Sequence, residues 1–253
     1  MITTIDPRGS GRALSTELLL HRLRGLRTLA SQEIELVLSL GEQPKTHAPG
    51  TSICPHEDGS PHARLIVGGW ACRPRIQPDG RRQMLGVLLP GDLMGDRGDR
   101  RPLALNPVVA LTPVRTIGIS RLVQAVRTQP TDYPGITHAL ASIDRCEEMS
   151  LLDHIVRLGC QSARQRMSHL LLELYQRLSK IGFVHNGTFP MPLTQDTLAE
   201  LLGLSLVHVN RIVSQLRSEK LVTMRSGVVT INDFARLALL ADRADPTRTS
   251  AIA

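Results

Sequence analysis

Aromatic side chains are nearly absent from this 253-residue chain, which has one Trp, two Tyr and three Phe. Binding of single-stranded nucleic acid by base stacking needs aromatic platforms, so this scarcity weighs against that mode. Cysteine is also sparse. Cys54, Cys72, Cys146 and Cys160 lie far apart and form no Cys-x-x-Cys pair. That spacing fits neither a disulfide framework nor a structural zinc site or iron–sulfur cluster. No apolar run approaches the roughly 18 residues of a membrane span. Residues 1–11 lack the apolar stretch and small-residue cleavage site of a secretory signal. The chain therefore reads as cytoplasmic, with no membrane partner. It also has no Gly-x-Ser-x-Gly elbow, P-loop, dinucleotide fingerprint or His-x-His pair for a cupin-like metal. The sequence gives no reason to expect an enzyme, a resident metal or another cofactor.

Hydrophobic residues make up 42% of the chain, enough for a packed core. The formal charge of +7 hints at a polyanionic partner. Its distribution does not locate one. Residues 64–101 hold eight arginines against four aspartates, whereas residues 190–242 balance five cations against five carboxylates.

Residues 14–40 carry leucines at three- and four-residue steps, with Gly25 and a cap at Ser31 dividing them into two short helices. From Gly41 to about Ile119, Pro and Gly punctuate short β-like runs: Ala63–Val67, Gly69–Ile76, Gln83–Leu89 and Val108–Leu111. Asp79-Gly80 signals a hairpin. Many short strands separated by turns predict an antiparallel sandwich or roll. Helical periodicity returns near Arg121 and is broken by Pro130, Pro134 and Gly135. The segment Ile136–Leu158 then offers a broad apolar stripe, suited either to its own domain or to a second copy of the chain. Gln161–Ile181 is a further amphipathic helix. The tail beyond Asp242 is polar and reads as flexible.

The stretch Leu193–Leu216 reads LTQDTLAELLGLSLVHVNRIVSQL. Thr194 suits an N-cap. Leu198, Ala199 and Leu202 face inward on a short helix, and Gly203 permits the tight turn that follows. Ser205 caps the next helix, whose buried face is Val209, Ile212, Val213 and Leu216. This is the spacing of a helix-turn-helix, whose second helix can lie in the DNA major groove; the alternatives are an ordinary three-helix core with a hairpin and a winged helix used as a protein-interaction scaffold. The strand–turn–strand pattern of Lys220–Met224, Arg225–Gly227 and Val228–Ile231 adds a wing.

At these residues the chain resembles the Crp/Fnr superfamily of bacterial transcription regulators over nearly its whole length. The likeness is strongest at Leu193–Asp233. It continues in Gly68-Gly69-Trp70-Ala71-Cys72-Arg73, Asp79-Gly80-Arg81-Arg82-Gln83 and Leu89-Pro90-Gly91-Asp92, which resemble the family's sensor β-roll. The resemblance implies an α+β chain: a jelly-roll-like antiparallel β-roll with N-terminal helices (1–125), a dimerisation helix (126–160), a winged helix-turn-helix (161–242) and a flexible tail (243–253). It implies a homodimer on near-palindromic double-stranded DNA, with RNA polymerase as a further partner. The family's base-reading positions fall on Val207 and Arg211. Arg211 suits the O6 and N7 of guanine or a phosphate, Val207 a thymine methyl, and His208 a base or a phosphate. Thr194, Gln195, Ser205 and the wing residue Arg225 are candidates for phosphate. The family's usual Arg-Glu after the cap is replaced by Leu206-Val207, so its common operator is not expected here.

Cyclic-nucleotide-binding members hold the phosphate with Gly-Glu and a later Arg. The matching segment here offers Gly95 and Asp96, with Arg100 and Arg101 out of place, so the expected effector is not cAMP. An unidentified signal acting through the β-roll is the expectation. The alternatives are a constitutive regulator, or a redox or haem sensor of the same family. Cys72 is the redox candidate, and His47, Cys54, His56 and His62 are the residues a haem or metal could use.

Overall fold

The computed structural model describes residues 11–41, 43–53, 62–95, 97 and 107–242. The chain forms two compact units, residues 1–75 with 85–150 and residues 76–84 with 151–253.

The first unit opens with α1 (Gly11–Arg24) and α2 (Ser31–Leu38). The division near Gly25 follows the sequence, but the cap does not. Ser31 is already helical and Ala30 occupies the cap position. The carboxylate that accepts the Ala30 amide is that of Glu33, at 2.7 Å.

The roll comprises β1 (Lys45–His47), β2 (Arg64–Gly68), β3 (Ala71–Ile76), β4 (Arg82–Leu88), β5 (Leu93–Met94), β6 (Val109–Ala110) and β7 (Val114–Gly118). Two antiparallel sheets result, in the orders β1-β7-β2-β5 and β4-β3-β6. Strands β1 and β5 are only three and two residues long, and β7 is defined by distant partners such as Leu65 opposite Ile117, so none of the three is evident from local pattern. Gly69 sits at φ +82°, and a Cβ there would lie 2.1 Å from the Pro113 carbonyl oxygen. Only glycine allows that approach. Ile53, Ile66, Ala71, Leu88, Met94, Val108, Ala110 and Val114 fill the space between the sheets.

Helices α3 (Ser120–Thr128) and α4 (Pro134–Cys160) follow, α4 belonging to the first unit up to Ser150 and to the second from Leu151. Ile136, Ala139, Leu140 and Ile143 of α4 join α1, α2 and α3 in a second core. The apolar stripe of α4 therefore divides. Its first half is buried, but Met149 (56%), Leu152 (50%), Ile155 (62%) and Val156 (52%) are exposed.

In the second unit, α5 (Ala163–Ser179) presents Met167, Leu170, Leu171, Leu174 and Leu178 to the core. Then come β8 (Thr188–Pro190), α6 (Gln195–Leu202), α7 (Leu206–Ser218), β9 (Val222–Arg225), β10 (Val228–Ile231) and α8 (Phe234–Leu240). The wing is three-stranded, in the order β8-β10-β9, so the connector read as β-like supplies an edge strand. Tyr175 packs against Phe189 and Phe234 at 6.0 and 5.3 Å, joining α5 to β8 and α8. Residues 76–84, the turn of the β3–β4 hairpin, also belong here. Arg82 Nε donates to Glu200 Oε2, and Gln83 Nε2 donates to the Glu200 carbonyl, each at 2.8 Å. Among the described residues no helix is long and apolar enough to cross a membrane.

Candidate nucleic-acid interface

Thr194 caps α6 as its sequence suggests: its Oγ1 accepts the Thr197 amide at 3.1 Å. The inward face is Thr197, Leu198, Leu201 and Leu202, with Ala199 only half-buried. Gly203 ends the helix at φ 61°, ψ 42°, the left-handed region that glycine enters without strain. Two side chains satisfy carbonyls at this end, since Arg166 Nη1 donates to the Leu202 oxygen at 3.0 Å and Gln83 serves Glu200.

Ser205 then caps α7. Its Oγ accepts the His208 amide at 3.3 Å and lies 3.1 Å from His208 Nδ1. One hydroxyl thus satisfies an orphan helix amide and holds the neighbouring imidazole. Val209, Ile212, Val213 and Leu216 are buried, as their spacing requires. What remains faces outward. Val207 is 78% exposed, and His208, Asn210, Arg211 and Ser214 are exposed as well. The helix therefore presents an apolar group and hydrogen-bonding groups on one accessible face, which is what reading base edges needs.

The expected residues fall in three places. Val207, His208 and Arg211 share the outward side of α7. Thr194 and Gln195 are exposed at the start of α6, and Ser205 at the start of α7. Arg225 is exposed at the end of β9, beside the turn in which Ser226 and Gly227 take φ 49° and 74°. Asn210 and Ser214 were not singled out beforehand. Subtracting the buried face from the helical wheel would have found them, because residues 207, 210, 211 and 214 form one i, i+3, i+4, i+7 row.

The residues expected to meet an effector lie in the first unit. Gly95 sits at φ +82°, and a Cβ there would be 2.2 Å from the His62 carbonyl oxygen, so the backbone is tightly apposed at that point. Asp96, Arg100 and Arg101 fall outside the described residues, as do Cys54 and His56. Arg97, which sequence reading passed over, is paired inside the unit. Its guanidinium meets the carboxylate of Asp144 and, at 2.8 Å, that of Glu147, both on α4. Arg73 lies 3.8 Å from Glu147. Burial disfavours the charge on Arg97, but Glu147 and Asp144 outweigh that and raise its pKa. No signal in the local sequence marks such a pairing, because its partners lie some fifty residues away. Cys72, the redox candidate, is 1% exposed, so its thiol is shielded from oxidants in this state. His47 Nε2 lies 3.0 Å from Thr116 Oγ1 in the β1–β7 pair. Among the described residues no group of three His, Cys, Asp or Glu side chains could hold a metal ion.

The arrangement has counterparts among known proteins. Residues 165–240 match the family model of the Crp-like helix-turn-helix domain. The transcriptional activator protein FnrL of Cereibacter sphaeroides is 31% identical over 200 residues, 76% of this chain and 78% of that protein. The nitrogen fixation regulation protein FixK of Bradyrhizobium diazoefficiens is 25% identical over 195 residues, 76% of this chain and 79% of its own. The solved structure of FixK2 from Bradyrhizobium japonicum shares the fold, with a TM-score of 0.68 at 23% identity, covering 81% of this chain and 99% of that one.

Proposed function

This chain belongs to the Crp/Fnr superfamily of transcription regulators, and from that premise we propose that it acts as a homodimer on near-palindromic operator DNA. The observation that carries the reading is the outward row of α7, where Val207, His208 and Arg211 stand exposed on a helix locked by the Ser205 cap. Set in the major groove, Arg211 meets a guanine edge and Val207 a thymine methyl. His208, held by Ser205, reaches a base or the adjacent phosphate. Thr194, Gln195, Ser205 and Arg225 grip phosphates on either side and fix the register.

The second copy is expected on α4. Met149, Leu152 and Val156 recur at steps of three and four and are exposed in the single chain. That is the seam of a two-helix coiled coil. Two-fold symmetry then sets the half-sites about one helical turn, ~10 base pairs, apart. The dimer works in the cytoplasm, where it meets the chromosome and RNA polymerase.

The roll adjusts the reading heads in response to a signal other than cAMP. A cyclic nucleotide brings a phosphate anion. At the segment where cyclic-nucleotide binders hold the phosphate, Arg97 is already paired with Asp144 and Glu147, so among the described residues that cation is committed to carboxylates rather than available to a phosphate. A signal acts only through different affinities for the two arrangements of the dimer.

The test is selection of duplexes from a random pool by the full-length dimer, followed by affinity measurements against salt. The expected result is a palindrome whose log affinity falls linearly with log salt, one counterion per neutralised phosphate. Arg211→Ala should cost roughly 1–3 kcal/mol on that palindrome and relax a single position. Binding indifferent to duplex sequence and to salt overturns the reading.

A further inference from the structure

We infer that Asn210 reads an adenine in the half-site, next to the base that Arg211 contacts. The inference rests on the assignment of α7 as the DNA-reading helix and extends it to a second hydrogen-bonding residue.

Residue 210 is the fifth of α7, well inside the N-terminal half that enters a major groove. Its neighbours Val209 and Ile212 are 0% and 2% exposed, so the direction of residue 210 is fixed outward by the packing of the opposite face. Asn210 itself is exposed, and its side-chain amide makes no hydrogen bond with any described residue. Asparagine is a poor choice for that position on folding grounds. It competes with the helix backbone for hydrogen bonds and favours caps and turns. The chain's other described asparagines obey that rule. Asn186 takes a left-handed conformation at φ 48°, and Asn232 lies beyond β10 with its amide donating to Thr223 at 3.1 Å. Asn210 does neither.

Its chemistry selects the base. A carboxamide offers a donor and an acceptor side by side. Adenine presents the complement in the major groove, the N7 acceptor beside the N6 amino donor. Guanine presents two acceptors there, which suits the two donors of Arg211 and leaves the carboxamide oxygen unmatched. Within the outward row, Val207 has no polar atom and Ser214 has one hydroxyl. The His208 ring is held by Ser205 at its Nδ1. Asn210 and Arg211 are thus the two residues of the row with unengaged, two-point hydrogen-bonding groups. They are consecutive, ~1.5 Å apart along the axis and about 100° apart around it. One base pair cannot serve both, so they address neighbouring ones.

The experiment is duplex selection with the full-length wild-type protein, Asn210→Ala and Arg211→Ala in parallel. Alanine is a better helix former at an exposed site, so the Asn210→Ala fold is retained. The wild type should enrich an adenine beside the guanine that Arg211→Ala relaxes. Asn210→Ala should lose the preference at the adenine alone, by about 5- to 150-fold, with the salt slope and all other positions unchanged. An unchanged base preference, or an equal loss of affinity on every sequence, overturns the inference while leaving the DNA-reading assignment of α7 in place. A wild-type protein that enriches no sequence overturns that assignment, and the adenine contact with it.

Discussion

The carboxylate of Glu33 accepts the backbone amide of Ile136 at 2.9 Å, joining α2 to the first turn of the long helix α4. Its other oxygen takes the Ala30 amide at 2.7 Å, and the residue is 1% exposed. One buried charge thereby serves two helix N-termini, where orphan amides and the helix dipole both favour an anion. Gly135 is required beside it, because a Cβ there would lie 2.6 Å from Glu33 Oε2.

Glu33→Ala should destabilise the first unit by about 1–3 kcal/mol, since it strands the buried Ile136 amide and removes the acceptor of the partly buried Ala30 amide. Gln keeps the acceptor but loses the charge, and should fall between. The chain's one tryptophan, Trp70, is buried in the roll and reports the transition by fluorescence in a urea titration. An unchanged midpoint for Glu33→Ala would contradict the bridging role.

Removing Arg97 should cost more. Arg97→Ala leaves Asp144 short of its cation in a site where both side chains are about nine-tenths buried, at about 3–5 kcal/mol. Arg97→Met combined with Asp144→Asn should recover much of the loss, because Arg97 leaves together with its more buried partner while Glu147 keeps Arg73 at 3.8 Å. The same Trp70 signal measures both. A double variant as unstable as the single one would show that the cost is packing and not charge.

His154 should make the second unit sensitive to acid. Burial and the neighbouring Arg157 charge hold its imidazole below the ordinary value near 6.5, outweighing the opposite pull of Glu173 and a backbone contact at Met84. The unfolded chain then takes up a proton that the folded chain refuses. Stability is complete above the ordinary value and is lost as pH falls through it toward the folded value. Glu173 is also buried, yet Arg157 and Arg177 hold its pKa below the usual carboxylate value, so it stays charged throughout that window. Thermal melts from about pH 8 to about pH 5 should fall steadily for the wild type and more gently for His154→Asn. Parallel slopes would exclude His154 as the cause.

Leu152→Asp or Val156→Asp should leave the single chain folded, because both sites are half-exposed in it. The same changes should halve the mass in sedimentation. Affinity for a palindrome should fall by about 10²- to 10⁴-fold, the advantage of binding with two linked heads. A variant that still sediments as a dimer would move the interface elsewhere.

The reading head was legible in the sequence because its determinants are local. Thr194, Gly203 and Ser205 each act on residues within one turn, and the buried face follows from spacing alone. The roll was legible in part: the runs Ala63–Val67, Gly69–Ile76, Gln83–Leu89 and Val108–Leu111 correspond to β2, β3, β4 and β6, whereas β1 and β5 have three and two residues and pair with strands far along the chain. Glu33, Arg97 and His154 carry no sequence signal, since each is defined by groups from other elements. Asn210 is inconspicuous in the sequence for a different reason: an exposed asparagine disturbs no periodicity. Cys72 shows the converse, a reactive residue type that burial keeps from solvent.

The hairpin turn at residues 76–84 belongs to the same compact unit as residues 151–253, and this constrains how such a regulator is inherited. Arg82 and Gln83, encoded early in the chain, complete the end of a helix encoded more than a hundred residues later. A recombination that exchanged everything after residue 150 would pair an incoming reading head with a foreign hairpin, leaving Glu200 without its partners. The two halves must therefore change together, or the exchange must carry nine residues from the front of the gene along with the back.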